Sequence, residues 1–457
     1  MQYVSTRGSA PILGFSDVVL AGLAIDGGLY VPQSWPTPTV PTTGSYPELA
    51  AAVFAPYVAD DIDSATMLRL CREAYSTFRH PEVVPIVELE PGQYLMELFH
   101  GPTLAFKDVA LQLLGRLFDH ILTARNEKVT IVGATSGDTG SAAIDGVKNC
   151  SNIDIVILYP EGRVSDVQRR QMTTVDSANV RTVAIDGTFD DCQDLVKAMF
   201  NHAEFRQQHN LSAVNSINWA RVMAQVVYYF EAARKFSSPF DVSVPTGNFG
   251  NVLSGWIAKQ MGAPIRHLVV ASNQNDILTR FFESHSMSVT GVHPTLSPSM
   301  DIQVSSNFER LLFEMNHRDG AVTAEQLARF RDRGSLSVES DQYETFIAPT
   351  FRAARASDHD TLATIRSVYE LKKMLIDPHT AVGVKAAREH AEVGIPMLTL
   401  ATAHPAKFPD AVERATGERP ALPAHLSDLF ELPERTEHLP NDLGAVEAFV
   451  AAFSQRS

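Results

Sequence analysis

Short, unbroken apolar runs alternate with stretches of helical spacing along most of the chain. Lys128-Val129-Thr130-Ile131-Val132 predicts a strand buried on both faces, as do Asp154 to Tyr159 and Val180 to Ile185. The stretches from Ser141-Ala142-Ala143-Ile144 onward and from Asp190 to Phe200 predict helices. A second series follows, with a helix from about Trp219 to Phe236, a strand from Asp241 to Val244, a helix from Asn251 to Met261 and a strand from His267 to Ala271. Strands and helices in this order predict an α/β protein with mostly parallel sheets covered on both faces. Such sheets bind ligands at the carboxyl ends of their strands.

The ends of the chain read differently. Pro32, Pro36, Pro38 and Pro41, followed by Thr42-Thr43-Gly44-Ser45, predict an ordered loop between small elements. The region from Glu413 to Ser457 is acidic and punctuated by proline, and Ala445 to Phe453 predicts a last helix. The expected organisation is an N-terminal domain over 1–97, a smaller α/β domain over 98–215 and a larger one over 216–457. No repeat of fixed period and no low-complexity tract appears.

Composition narrows the function classes. At 457 residues the chain can bury cores that need no staples, and its three cysteines, Cys71, Cys150 and Cys192, are odd in number and far apart. A reducing, cytoplasmic setting is therefore expected. The longest apolar run near the start, Val18 to Ile25, is too short to span a bilayer, so no membrane partner is expected. A formal net charge of -15 argues against a nucleic-acid partner, because phosphate-backbone binding relies on clustered Lys and Arg. It leaves a small anionic ligand open, since distant surface charge is screened within roughly 8 Å at physiological salt.

Three fragments carry candidate chemistry. Gly133-Ala134-Thr135-Ser136-Gly137-Asp138-Thr139-Gly140-Ser141 lies between a predicted strand and a predicted helix. Its glycines allow close backbone approach, its hydroxyls donate, and the helix start offers free N–H groups to an anion. A plain helix cap explains part of this pattern, but one Ser or Thr would suffice for that. Val244-Pro245-Thr246-Gly247-Asn248-Phe249-Gly250-Asn251 has the same setting and lacks both the nucleotide P-loop ending and the dinucleotide Gly-x-Gly-x-x-Gly spacing. On its own it is either a phosphate cup or a tight turn. Lys107, in His100-Gly101-Pro102-Thr103-Leu104-Ala105-Phe106-Lys107-Asp108, opens the apolar stretch Val109 to Phe118. Read alone it is either a surface lysine or an amine at a helix start that loses its proton readily. The pairs His293-Pro294 and His404-Pro405 read as turn residues, and the run Asp60-Asp61-Ile62-Asp63 as a helix start or solvated loop, so no metal site is expected.

Taken together and in order, these fragments resemble the threonine synthases, specifically the longer microbial and fungal branch. The resemblance extends through Asp26-Gly27-Gly28-Leu29-Tyr30-Val31-Pro32, Ser299-Met300-Asp301-Ile302, Ser305-Ser306-Asn307-Phe308-Glu309-Arg310, Asp377-Pro378-His379-Thr380-Ala381 and Leu400-Ala401-Thr402-Ala403-His404-Pro405-Ala406-Lys407-Phe408. It covers nearly the whole chain. It implies the tryptophan synthase β-like fold, with two parallel-sheet α/β domains plus an N-terminal segment, and pyridoxal 5'-phosphate as cofactor. It also implies conversion of O-phosphohomoserine and water to threonine and phosphate.

By that resemblance Lys107 would form the Schiff base, and Gly247, Asn248, Phe249, Gly250 and Asn251 would cup the cofactor phosphate. Thr402 would face the pyridine nitrogen. Thr135, Ser136, Gly137 and Thr139 are suited to the substrate's anionic groups, and Asn215, Ser216 and Arg221 to its phosphate. Asp138 departs from the shorter members, which carry Asn there beside the cofactor's phenolic oxygen; a carboxylate would repel that oxygen's anionic form unless one is protonated or the side chain turns away. Two rival readings share these residues: a pyridoxal phosphate phospho-lyase on a related phosphorylated amino acid, and a non-catalytic ligand-binding relative. The missing Gly-x-Gly-x-x-Gly argues against a nicotinamide dehydrogenase.

Overall fold

The computed structural model describes residues 1–236 and 238–454. Its two main sheets use, in chain order, β1 (Ile86–Glu90), β2 (Gln93–Glu97), β3 (Val129–Ala134), β4 (Ile153–Pro160), β5 (Val180–Ile185), β6 (Leu211–Ser212), β7 (Phe240–Pro245), β8 (Ile265–Ser272), β9 (Phe351–Arg355), β10 (Met397–Ala401) and β11 (Glu437–Leu439). The helices that matter below are α1 (Lys107–Arg125), α2 (Asp138–Val147), α3 (Asp166–Thr173), α4 (Phe189–Asn201), α5 (Trp219–Lys235), α6 (Gly250–Gln260), α7 (Pro378–His390) and α8 (Leu443–Ser454). Every predicted strand and helix of the two series is present, displaced at most by a few residues at its ends.

The smaller sheet has the order β11-β5-β4-β3-β6, parallel throughout. The larger runs β9-β8-β7-β10-β2-β1 and is parallel except for β1 against β2. All of β4, β7 and β10 is buried, as expected of parallel strands covered on both faces. Sheet membership cuts across the three expected segments. β1 and β2, within 1–97, complete the larger sheet, whereas β11, within 216–457, pairs with β5 and α8 packs on α4.

Strand order also marks where ligands bind. From β3 the smaller sheet proceeds through β4 and β5 to one side while β6 lies on the other. From β7 the larger sheet proceeds through β8 and β9 while β10 lies opposite. Open parallel sheets hold ligands at such reversals, outside the carboxyl ends of the strands. The loops leaving β3, β6, β7 and β10 are those containing Thr135, Asn215, Gly247 and Thr402.

Two packing features fix these loops. A Cβ on Gly115 of α1 would lie 2.1 Å from the carbonyl oxygen of Gly146 on α2, so only glycine lets the two helices meet backbone to backbone. This contact sets the separation of Lys107 and Asp138, which open those helices. Trp219, fully buried at the start of α5, has ring centroids 6.0 Å from Tyr3, 5.9 Å from Trp35 and 5.8 Å from Tyr57. At about 1 kcal/mol for each aromatic pair, the N-terminal segment anchors the helix that carries Arg221.

Candidate active site

Lys107 begins α1 and is only 9 % exposed. Its Nζ donates to Oδ2 of Asp138 at 3.1 Å and lies 5.0 Å from the centroid of the Phe106 ring. Burial lowers its affinity for a proton, Asp138 acts in the opposite sense, and Lys407 and Arg221 reinforce the lowering. The preceding turn is constrained. Leu104 has φ +64, a conformation costly for a branched residue, and is held by backbone bonds from His404 N to Leu104 O (3.0 Å) and from Phe106 N to Thr402 O (2.9 Å). These bonds put Thr402 beside the lysine segment.

Asp138 is fully enclosed. Its Oδ2 faces Lys107, while Oδ1 lies 2.8 Å from Nζ of Lys407 and accepts from Gln168 Nε2 at 2.7 Å. Burial alone would raise its carboxyl, but the two ammonium groups outweigh that and hold it well below the ordinary carboxylate range. The side chain therefore stays ionised. Lys407 is 0 % exposed and also donates to Thr103 O at 2.7 Å.

The loop after β3 is built for its turn. Gly137 has φ +136, and a Cβ there would lie 2.4 Å from the Gln168 side chain. The Thr135 hydroxyl oxygen accepts from Gly137 N at 3.0 Å and Gly140 N at 2.8 Å, so it organises the loop from within. Ser136 is exposed and Thr139 half-buried.

In the loop after β7, Phe249 takes φ +62 directly before α6, with its ring packed against Phe308, Phe282 and Phe351. A Cβ on Gly247 would lie 2.6 Å from the Ser299 carbonyl oxygen. Asn251 accepts through Oδ1 from the hydroxyls of Tyr228 (2.5 Å) and Tyr229 (3.0 Å), and its buried Nδ2 has no partner among the described residues. A buried amide that is aimed but unpaired fits an incoming acceptor.

Arg221 is 4 % exposed; its Nη1 donates to Val214 O at 2.9 Å, and its buried Nε has no partner among the described residues. Burial pushes it down to about 10. Such a guanidinium, bonded to a carbonyl and with no carboxylate paired to it among the described residues, keeps charged donors open to an anion. Asn307 ties this segment to the β7 loop, its Nδ2 donating to Ser216 O at 3.0 Å and Asn248 O at 3.1 Å. Asn215 itself is exposed and Ser216 half-buried. Behind Thr402, whose N–H donates to Thr380 Oγ1 at 3.2 Å, lies fully buried Asp377, bonded to the Thr380 hydroxyl and, at 2.8 Å, to His379 Nδ1.

Sequence reasoning gave no role to Lys407, Gln168 or Asn307. A lysine within the apolar run Ala403 to Phe408 was the available signal for the first; the other two have none. The titratable group Asp241, His267 and Glu392 encloses Arg266, which pairs with Asp241 at 2.9 Å and Glu392 at 2.6 Å.

A buried lysine of lowered basicity, a helix start with an open amide and a glycine cradle together fit the aldehyde and phosphate of pyridoxal phosphate. They define a pyridoxal-phosphate dependent enzyme with parallel-sheet α/β architecture, and residues 82–333 match the family described by that name. Residues 2–75 match the threonine synthase N terminus and residues 380–450 the threonine synthase C-terminal family. The chain belongs to the threonine synthase family. It is 53 % identical to threonine synthase of Pseudomonas aeruginosa, over 100 % of this chain and 99 % of that protein. It is 41 % identical to the Saccharomyces cerevisiae enzyme over 96 % of this chain and 95 % of that one. The crystal structure of pyridoxal-phosphate-bound threonine synthase from Brucella melitensis superposes with TM-score 0.97 at 52 % identity, with 100 % of both chains covered. The yeast threonine synthase structure superposes with TM-score 0.94 at 39 % identity, covering 100 % of this chain and 99 % of that one. The chain is thus a pyridoxal-phosphate-dependent lyase of threonine biosynthesis. Among the described residues no helix is long and apolar enough to cross a membrane.

Proposed function

We propose that the substrate is O-phosphohomoserine, which with water yields threonine and phosphate, and that Lys107 is the residue joined to the cofactor. The observation that carries this reading is the pairing of chemistries in one place: a buried amine of lowered basicity on Lys107, near a buried guanidinium on Arg221 with no carboxylate bonded to it among the described residues. A substrate with an amine at one end and a phosphate at the other matches both.

In this reading Gly247, Asn248, Phe249, Gly250 and Asn251 hold the cofactor phosphate through the α6 N-terminus and the open Asn251 amide. Thr402 faces the ring nitrogen as a neutral hydroxyl, and Asp138 lies by the phenolic oxygen. When bound, pyridoxal phosphate supplies an electron sink for charge developing on the substrate's carbon chain. The chain's own residues do the rest. The Lys107 amine, freed when substrate binds, takes protons from the α- and β-carbons and returns protons to the γ- and α-carbons, for which its lowered basicity suits it. Arg221, with Asn215 and Ser216, binds the substrate phosphate and stabilises it as it leaves the γ-carbon. Thr135, Ser136, Gly137 and Thr139 bind the substrate carboxylate at the start of α2, and water then adds at the β-carbon. The reading extends to a cytoplasmic setting, which the three unpaired cysteines support.

Product analysis tests the reaction. Holoprotein given O-phosphohomoserine should form threonine and phosphate in equal amounts; 2-oxobutyrate with phosphate would instead identify a phospho-lyase, and no phosphate at all a ligand-binding relative.

A further inference from the structure

One buried carboxylate, Asp138, is shared by two buried ammonium groups that arrive from distant parts of the chain. Lys107 approaches Oδ2 at 3.1 Å and Lys407 approaches Oδ1 at 2.8 Å. Gln168 and the Thr103 carbonyl lock the arrangement, the first donating to Oδ1 at 2.7 Å and the second accepting from Lys407 at 2.7 Å. Two such cations side by side repel each other, and that repulsion offsets part of the carboxylate's attraction for each. We propose that Lys407 is a positioning residue: by taking one face of Asp138 it keeps the carboxylate fixed and weakens its hold on Lys107, leaving the Lys107 amine free to form a covalent bond.

The charged groups facing Lys107 are Asp138 from α2, Lys407 from the segment after β10 and Arg221 from α5. Asp108, next to it on α1, is turned to Thr103, accepting from its N–H at 2.8 Å and its hydroxyl at 2.7 Å. Of these, Asp138 favours the protonated amine and the two cations oppose it. Removing Lys407 would leave Lys107 as the one cation paired with Asp138 among the described residues. Removing the carboxylate of Asp138 would leave Lys107 between cations. The two changes therefore push Lys107 in opposite directions. A purely structural Lys407 would affect folding and leave the amine's titration where it was.

The inference rests on Lys107 being the cofactor lysine, and the test separates the two claims. Apoprotein is mixed with pyridoxal phosphate over a range of pH, and the growth of the visible band is timed. The neutral amine attacks the aldehyde, a carbon–nitrogen double bond forms, and water leaves, so the rate follows the fraction of neutral amine. Lys407→Met should move the midpoint of the rate profile up by about one pH unit, a tenfold loss of neutral amine at a given pH. Asp138→Asn should move it down. An unmoved or lowered midpoint in folded Lys407→Met overturns the proposal. Where Lys407→Met fails to fold, Asp138→Asn decides, and an unmoved or raised midpoint there overturns it equally. A visible band that still grows in Lys107→Ala apoprotein would instead show that another lysine carries the cofactor.

Discussion

Arg221→Met separates binding from stability. Burial, which pushes Arg221 down to about 10, costs about 3 kcal/mol. Because its folded value lies below its unfolded one, that cost is fully present at neutral pH and relieved only above pH about 10. The bond to Val214 O returns about 1.5 to 3 kcal/mol as a charged hydrogen bond. Methionine has similar reach and no charge, so apoprotein stability should stay within about 1 kcal/mol of wild type or rise, whereas most core changes cost about 0.5 to 3 kcal/mol. Substrate binding should suffer. Losing two charge-assisted bonds to a phosphate, at roughly 1.5 kcal/mol or more each, should raise KM by about a hundredfold or more. Urea unfolding of the apoprotein and steady-state kinetics with O-phosphohomoserine measure the two effects. A variant destabilised by about 3 kcal/mol with an unchanged KM would refute the reasoning and make Arg221 a structural residue.

Three further outcomes follow from the packing and charge. Gly115→Ala places a methyl 2.1 Å from a backbone oxygen, so α1 and α2 must part; stability should fall by about 1 to 3 kcal/mol and cofactor capture should slow, and a native thermal midpoint would contradict the close contact. Phe249→Ala should cost about 3 to 5 kcal/mol from the lost ring, yet Phe249→Gly should be no less stable than the alanine variant, since φ +62 penalises alanine by roughly 1 kcal/mol. His404 is pushed down to about 4 by burial and then by His100, from 6.5. The unfolded chain therefore binds a proton that the fold refuses, and stability should fall by about 3 kcal/mol as pH drops from about 6.5 to about 4. His404→Gln should flatten that part of the urea-midpoint curve, and parallel curves would count against it.

The sequence reveals elements whose signal is local. β3 with the loop to α2, and β7 with the loop to α6, are each a buried apolar run, a glycine turn and a helix start within about twenty residues, and both are visible without a structure. The placement of Thr402 after β10 was legible only through its segment's resemblance, because β10 is a short strand with no distinguishing period. Lys407 and Asp138 illustrate the limit. Each looks ordinary in its own segment, and their pairing exists only because the segment Pro405–Lys407 after β10 packs against α3 and brings Lys407 within 2.8 Å of Asp138. Arg221 is similar, since helical spacing in α5 does not say which face meets Val214. β1, β2 and β11 escaped the domain division because they are short and partly exposed, so composition near them resembles loop.

The claim that Lys107 holds the cofactor, in a pocket where Lys407 is a second buried lysine, is tested most directly by borohydride reduction of the holoprotein followed by peptide mass mapping. The pyridoxyl group should sit on Lys107 alone. Its appearance on Lys407, or on any other lysine, would contradict the account.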